Sequence, residues 1–385
     1  MLHNICEMAD PPGPRSHHSG HAAVDFDQAP FLVIWETTRS CGLACKHCRA
    51  SAILGRDPGE LTTDEGEKLM KDVAAMGTPI LILSGGDPLN RPDLEELVRR
   101  GKNAGLRLGT IPATTENLTQ GRIQGLKDAG IDQIAFSLDG PTAELHDGFR
   151  GVPGSFDKTM EGVRYVHEAG VPLQINTVLG SWNFAHLEKM ILLISTLDVV
   201  FWEVFFLIPI GRGTELKSLS AEQFERVFER LYKLNQQVDW VIKLTEAPHY
   251  RRFVVRREAE RGGADVSARI RHILARPRGV GGAMGLSPQA VNAGKGFAFV
   301  DYLGNISPSG FLPVVAGNVR HTPLSEVYRN SPIFTSLRDP SKLKGRCGIC
   351  EFARMCSGSR ARAMAVTGDM FSEDPFCSYQ PAVKA

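Results

Sequence analysis

Between residues 31 and 213, short apolar runs alternate regularly with stretches of helical period. The strand candidates are residues 31–36, 80–83, 106–110, 133–138, 173–178 and 204–208, and the helical stretches are 63–76, 92–104, 117–129, 155–169 and 184–196. Strand–helix–strand alternation of this kind places consecutive strands parallel, with helices packed over the sheet and the strands' carboxyl ends along one edge. Periodicity alone does not separate an open sheet from a barrel. Six such units fall short of the eight that close a full barrel, although a partial, TIM-like (β/α)6 barrel would fit this α/β pattern as well as an open sheet.

The rest of the chain sets the domain plan. Residues 1–30, rich in Pro, Gly, His and Asp, read as a flexible tail, and 31–215 as the core. Residues 216–295 form a connecting region: a helix at 220–232, a very basic helix at 248–275, and a glycine-rich stretch at 276–296 that reads as a mobile loop. Residues 296–302 resemble a strand entering a Gly304-Asn305 turn, which opens a small C-terminal domain, 296–385. With 44 basic and 43 acidic side chains the net charge is +1, which offers no global footprint for nucleic acid or an anionic membrane. The apolar stretch 190–210 is interrupted by Asp198 and Glu203 and ended by Pro209 and Gly211, so it reads as a helix and a buried strand, not a membrane span. No charged, apolar, small-residue leader opens the sequence, and a cytoplasmic location is expected.

Eight cysteines fall into a tight triplet (Cys41, Cys45, Cys48), a group of four near the end (Cys347, Cys350, Cys356, Cys377), and the lone Cys6, which reads as a free thiol. In a reducing compartment such groups are metal ligands or redox centres before they are disulfides. The triplet follows the first strand, where α/β proteins place ligands. Three thiolates on one loop hold three corners of a 4Fe–4S cube and leave one iron open. A zinc site completed by His47 is the competing reading, although zinc sites usually pair cysteines as CxxC.

The Cys41-x3-Cys45-x2-Cys48 spacing resembles the cluster motif of the radical S-adenosylmethionine (SAM) superfamily. The resemblance implies that the amino and carboxylate groups of SAM chelate the open iron, and that the reduced cluster cleaves SAM to a 5′-deoxyadenosyl radical. Further matches lie at the ends of later strands. Ser84-Gly85-Gly86-Asp87-Pro88 resembles the segment that holds the SAM amino group. Glycines permit close backbone approach there, and the Asp87 carboxylate suits an ammonium, although Asp87 replaces the commoner Glu. Ser137-Leu138-Asp139 and the Phe149-Arg150-Gly151 segment are similar to positions that meet the SAM carboxylate, for which the Arg150 fork is suited. Asn176 and residues 209–213 match polar or glycine-rich positions near SAM, and His47 is placed to pack near the adenine.

The four later cysteines, with a leading CxxC, close either a tetrahedral zinc site or a second 4Fe–4S cluster. Together with the segments at 357–363, 367–369 and 373–375, they resemble the auxiliary-cluster tail of SPASM/twitch radical SAM proteins, most of all those of alternative heme and heme d-type biosynthesis, which remove or rearrange porphyrin propionates. Full SPASM domains take an early cysteine from a segment resembling 301–309; here Ser309 occupies that place. Three plus four thiolates then support two clusters and no third. An auxiliary cluster closed by four cysteines suits electron transfer better than substrate ligation.

The resemblance implies a radical enzyme acting on a carboxylate-bearing small molecule, plausibly a tetrapyrrole heme precursor, and served by an external flavodoxin- or ferredoxin-like electron donor. The alternatives are maturation of a ribosomal peptide or protein, and a non-enzymatic iron–sulfur carrier. Nine arginines between 251 and 278 read either as a solvated helix face or as clamps for substrate carboxylates, with the neighbouring glycine-rich loop closing over the radical.

Overall fold

The computed structural model describes residues 24–263, 265–275, 283–284 and 286–382. Cys6, His17, His18, His21, Arg276, Arg278, Gly279, Gly281, Gly282 and Gly285 lie outside the described residues. The apolar runs become parallel strands β1 (Leu32–Glu36), β2 (Ile80–Ser84), β3 (Arg107–Thr110), β4 (Gln133–Ser137), β5 (Leu173–Leu179) and β6 (Phe201–Phe206), each paired with the next. Alternation along each strand sorts the two faces. Val33, Trp35, Leu81, Leu83, Ile134, Phe136, Trp202 and Val204 join the core beneath the helices. The intervening Leu32, Ile34, Ile80, Ile82, Gln133, Ala135, Gln174 and Glu203 line an inner cavity.

The helices α1 (Thr63–Ala75), α2 (Leu94–Asn103), α3 (Gln120–Asp128), α5 (Ser155–Glu168), α6 (Leu187–Ser195) and α7 (Ala221–Asn235) cover the outer face with apolar stripes, whereas α4 (Ala143–Arg150) buries His146, Phe149 and Arg150. Thr62 and Ser220 begin α1 and α7 with reciprocal capping boxes. The apolar stretch 190–210 is the end of α6 followed by β6, as its interruptions imply. No helix among the described residues is long and apolar enough to cross a membrane.

The structure adds to the expected plan in three places. A seventh parallel strand, β7 (Val241–Thr245), pairs with β6. The basic stretch at 248–275 is two helices, α8 (His249–Arg261) and α9 (Val266–Leu274), separated at Gly262 and Gly263, whose φ values of 62° and 82° a continuing helix does not allow. Strand β8 (Phe297–Val300) pairs in parallel with the far side of β1, followed by antiparallel β9 (Asn305–Ser307) and β10 (Gly317–Asn318). The sheet order β10-β9-β8-β1-β2-β3-β4-β5-β6-β7 leaves β7 and β10 as edges, so the barrel stays open.

Of the glycine-rich segment, the described Ala283 and Met284 pack at the amino ends of the strands. Met284 clusters with Phe26, Phe31 and Ile80, and Ala283 with Phe201 and Val241. Met284 is held there by its N–H, which donates to Gln133 Oε1 at 3.0 Å, and by its carbonyl, which accepts from Arg107 at 3.2 Å. These residues plug the end of the barrel opposite the cysteine loop; Gly279, Gly281, Gly282 and Gly285 of the stretch expected to close over the radical lie outside the described residues.

Gly66 on α1 faces the fully buried Trp35, and a Cβ there would stand 2.4 Å from the indole ring. Alanine gains about 1 kcal/mol of helix propensity over glycine, but overpacking a rigid core costs about 1–3 kcal/mol. Gly66→Ala is therefore expected to lower the thermal midpoint; a raised midpoint in a melt followed by circular dichroism would refute this packing argument.

Candidate active site

The loop carrying Cys41, Cys45 and Cys48 leaves β1 with little regular structure, so its backbone polar groups are met by neighbouring strand ends. From the β2 side, the N–H of Gly86 donates to Thr38 O at 2.7 Å and that of Asp87 to Ser40 O at 2.6 Å. The end of α4 accepts from the loop: Ala44 N–H donates to Arg150 O at 3.2 Å and Lys46 N–H to Phe149 O at 3.0 Å. Beyond β6, Arg212 N–H donates to Cys48 O at 3.1 Å. Glycine is required at these contacts. A Cβ on Gly86 would lie 2.4 Å from Ser40 O, and one on Gly211 would lie 2.6 Å from Cys48 O. Gly85, similarly close to Thr38 O, completes the set. The close approach expected of Gly85 and Gly86 is made to the cysteine loop itself.

Asp87 is anchored by the protein's own donors. Its fully buried carboxylate accepts from Thr115 Oγ1 at 2.6 Å and from the N–H groups of Leu89 and Ala113 at 3.1 and 3.3 Å. It caps the turn after β2 and braces the β3 loop. Arg150 is likewise engaged: one Nη lies 2.5 Å from Asp139 Oδ2, and the other donates toward Cys45 Sγ at 3.5 Å. Asp139 also accepts from Val178 N–H at 2.7 Å. Burial raises the Asp139 pKa and Arg150 only partly opposes it. Asp139 thus aims the Arg150 cation toward the Cys45 thiol. Ser137 and Asn176 are register partners on adjacent strands, on the face that Ala135 and Gln174 share with the cavity. Asn176 Oδ1 accepts from Gln174 at 2.7 Å.

His47 stacks on Phe149 at 4.7 Å between centroids, and Phe149 on Trp182 at 4.6 Å. Burial, with Arg150 and Arg212 nearby, keeps the His47 imidazole neutral. Cys41 and Cys45 are buried, and burial pushes the Cys41 thiol up to about 12. Such a thiol ionises only when a metal takes its electron pair, which fits an iron ligand. The N–H of Leu43, 3.3 Å from Cys41 Sγ, is positioned to support the thiolate.

The second cysteine group lines its own cavity, with Arg252, Arg346, Phe352 and Tyr379. Two short helices, Gly345–Ile349 and Ala353–Cys356, present Cys347 and Cys356, and Cys350 lies between them. Burial raises all four thiols, Cys350 to about 12. Backbone N–H groups of Gly358 and Asp374 each lie 3.4 Å from Cys356 and Cys347 Sγ. Among the described residues no three His, Cys, Asp or Glu converge so as to hold a single metal ion. Thiols ringing a cavity, with N–H donors and guanidinium groups around them, fit a polynuclear anionic cluster better than one zinc. Sequence reasoning missed this arginine shell, because its members answer partners far along the chain. Arg252 pairs with Glu225 and Arg346 with Glu373, and Arg360 donates to the carbonyls of Met370 and Ser372.

The same holds for the arginine-rich stretch. Arg257 and Arg269 bridge helices through Glu229 and Glu258, Arg256 and Arg261 face glutamates of α8, and Arg251 donates to the carbonyls of Ser287 and Gln289. They staple helices and loops together; Arg251 also lines the inner cavity, and Arg276 and Arg278 lie outside the described residues. The inner cavity, of about 220 Å³, lies within the barrel and reaches Glu246 at the end of β7 and Ser309 beyond β9. Its lining is mostly apolar, with Lys243 held 2.8 Å from Glu203.

The radical SAM superfamily profile matches residues 35–194, from β1 through most of α6. The AdoMet-dependent heme synthase of Methanosarcina barkeri is 41% identical over 361 residues, covering 94% of this chain and 100% of that protein. The AdoMet-dependent heme synthase of Oleidesulfovibrio alaskensis is 39% identical, covering 94% and 90%. Among solved structures, Streptococcus suis SuiB bound to S-adenosylmethionine superposes with a TM-score of 0.69 over 91% of this chain and 78% of its own, at 14% identity, a likeness of fold alone. With relatives this similar aligned nearly from end to end, the chain belongs to the radical SAM superfamily, beside the AdoMet-dependent heme synthases and with the auxiliary-cluster tail that marks its SPASM-like members.

Proposed function

We propose that this enzyme abstracts hydrogen from a carboxylate-bearing tetrapyrrole, a precursor of heme, held in the inner barrel cavity. The observation that carries this reading is the cavity: a largely apolar chamber, suited to a flat macrocycle, with a few polar side chains at its margin to meet carboxylates. The AdoMet-dependent heme synthase relatives support it. When bound, the first cluster with SAM supplies a 5′-deoxyadenosyl radical and the second an electron acceptor. In the oxidative decarboxylation of a propionate, the substrate gives up one hydrogen atom, CO2 and one electron, and gains a double bond.

The chain's own residues hold these parts in place. Cys41, Cys45 and Cys48 would hold the first cluster. Gly85, Gly86, Ser137 and Asn176 would form the SAM-facing rim, with the Asp139–Arg150 pair behind it. Cys347, Cys350, Cys356 and Cys377 would hold the second cluster. We read residues 1–30 as a tail, 31–215 as the radical-generating core, 216–295 as the connecting region that walls the cavity, and 296–385 as the electron-handling domain. A low-potential donor of the flavodoxin or ferredoxin class would serve the first cluster. A cytoplasmic setting, where thiols remain reduced, suits both centres.

The test is an anaerobic incubation of the fully clustered enzyme with SAM, a reductant and an iron porphyrin bearing deuterated propionates. Deuterium is expected in 5′-deoxyadenosine, with loss of CO2 from the porphyrin seen by mass spectrometry. Deoxyadenosine formed without deuterium, beside unchanged porphyrin, would sink the tetrapyrrole reading. Two substitutions separate the clusters' roles. Cys45→Ala is expected to abolish 5′-deoxyadenosine while the tail keeps its iron. Cys347→Ala is expected to retain SAM cleavage and lose the decarboxylated product; equal loss of both activities would argue against an electron-accepting tail.

A further inference from the structure

Glu246 ends β7 with its backbone in the left-handed region, at φ 58°. Glycine or asparagine takes that conformation readily, whereas a Glu there is strained. Backbone preference therefore does not account for the residue, and its carboxyl must. One carboxyl oxygen is fixed from the tail: Ser359 Oγ donates to Oε2 at 2.5 Å. The backbone is fixed from the same side, where Arg362 Nη2 donates to Glu246 O at 2.5 Å. Among the described residues no group donates to Oε1, and the side chain lines the inner cavity. Burial raises its pKa, opposed in part by Ser359 and Arg362, and so favours the protonated form, which can donate from Oε1. The other charged groups on the cavity wall are already engaged, Lys243 by Glu203 and Arg251 by backbone carbonyls.

We propose that Glu246 is a specificity-determining residue, whose carboxyl hydrogen-bonds one carboxylate of the substrate on the side of the cavity that faces the auxiliary-cluster tail. The proposal rests on the tetrapyrrole reading and adds to it the group that reads a substrate carboxylate. The path from that group to the tail is short. Ser359, which holds Glu246, donates its N–H to Asp374 Oδ2 at 2.8 Å, and Asp374 donates its own N–H to Cys347 Sγ at 3.4 Å. A substrate carboxylate held at Glu246 is thereby linked, through Ser359 and Asp374, to a cysteine of the second group.

The experiment compares binding of iron coproporphyrin and its tetramethyl ester to the clustered holoenzyme by anaerobic equilibrium dialysis. Wild type is expected to prefer the acid. A hydrogen bond to a charged group is worth roughly a factor of ten or more in affinity, so Glu246→Gly should lose about that much of the acid-over-ester preference. Glu246→Gln, which keeps a neutral donor, should retain most of it. Because glycine relieves the left-handed backbone, the Glu246→Gly unfolding midpoint should stay near that of wild type. An unchanged preference in Glu246→Gly overturns the proposal. So does equal weakening toward acid and ester, or failure of both Glu246→Gly and Glu246→Ala to take up clusters, since either outcome makes the carboxyl a structural brace. If wild type binds neither porphyrin, the tetrapyrrole reading itself falls, and this assignment with it.

Discussion

The first cysteine loop has almost no structure of its own, and everything catalytic depends on how its backbone is gripped. Its carbonyls and N–H groups are satisfied by the β2 turn, the end of α4 and the turn after β6. Each grip comes from the carboxyl end of a strand or from a helix that follows one, so the loop is positioned only when the parallel register is correct. Gly86 and Gly211 permit the close approach, and Gly151, at φ 72° with a would-be Cβ 2.7 Å from Ala44 O, does the same at the end of α4. Asp87 adds a brace from beneath. The residues that give the superfamily's motifs their appearance thus serve first to fix three thiols in space.

The tail is joined to the barrel by a buried charge that is expensive to leave unmatched. Arg362 and Asp374 are both inaccessible to solvent, 3.0 Å apart. Burial alone would raise the Asp374 carboxyl, yet Arg362 holds it below the usual range. His249, also near Asp374, is driven down to about 3 by burial and stays neutral, so the guanidinium answers the carboxylate. Arg362 also reaches the Glu246 carbonyl and lies over the Phe224 and Phe376 rings. Removing one member of such a pair typically costs several kcal/mol, because the other is left charged and dry. One side chain therefore ties helix α7, the end of β7 and the cysteine-bearing tail together.

Much of this was legible in the sequence. The strand–helix alternation gave the parallel sheet, and cysteine spacing gave the two sulfur centres, because both patterns are local. What escaped were consequences of distant pairing. Strand β7 is a brief VIKLT run whose identity comes from lying against β6, and β8 pairs with β1 across more than half the chain. The arginines between 251 and 271 looked unanswered because Glu225 and Glu229, which meet Arg252 and Arg257, belong to another helix. Glu246 carried one usable clue, a carboxylate directly beyond a strand's carboxyl end, but it becomes visible only once β7 is recognised. Asp87 and Arg150 were found by motif, while their contacts in the folded chain needed coordinates.

The openness of the barrel bears on the chemistry. A closed ring of strands would fill its interior with side chains and leave a packed core. Here β8 lies on β1, while β7 keeps a free outer edge. The inner cavity is lined by Leu32 and Ile34 of β1, by Phe297 of β8 and by the end of β7. The radical-generating loop follows β1, and the second sulfur centre is tied to the end of β7 through Ser359 and Arg362. On the function proposed above, a substrate in this cavity would lie between the strand that precedes the first cysteine loop and the strand end tied to the second sulfur centre. Ser309, which stands where a further ligand was expected, lines the same cavity.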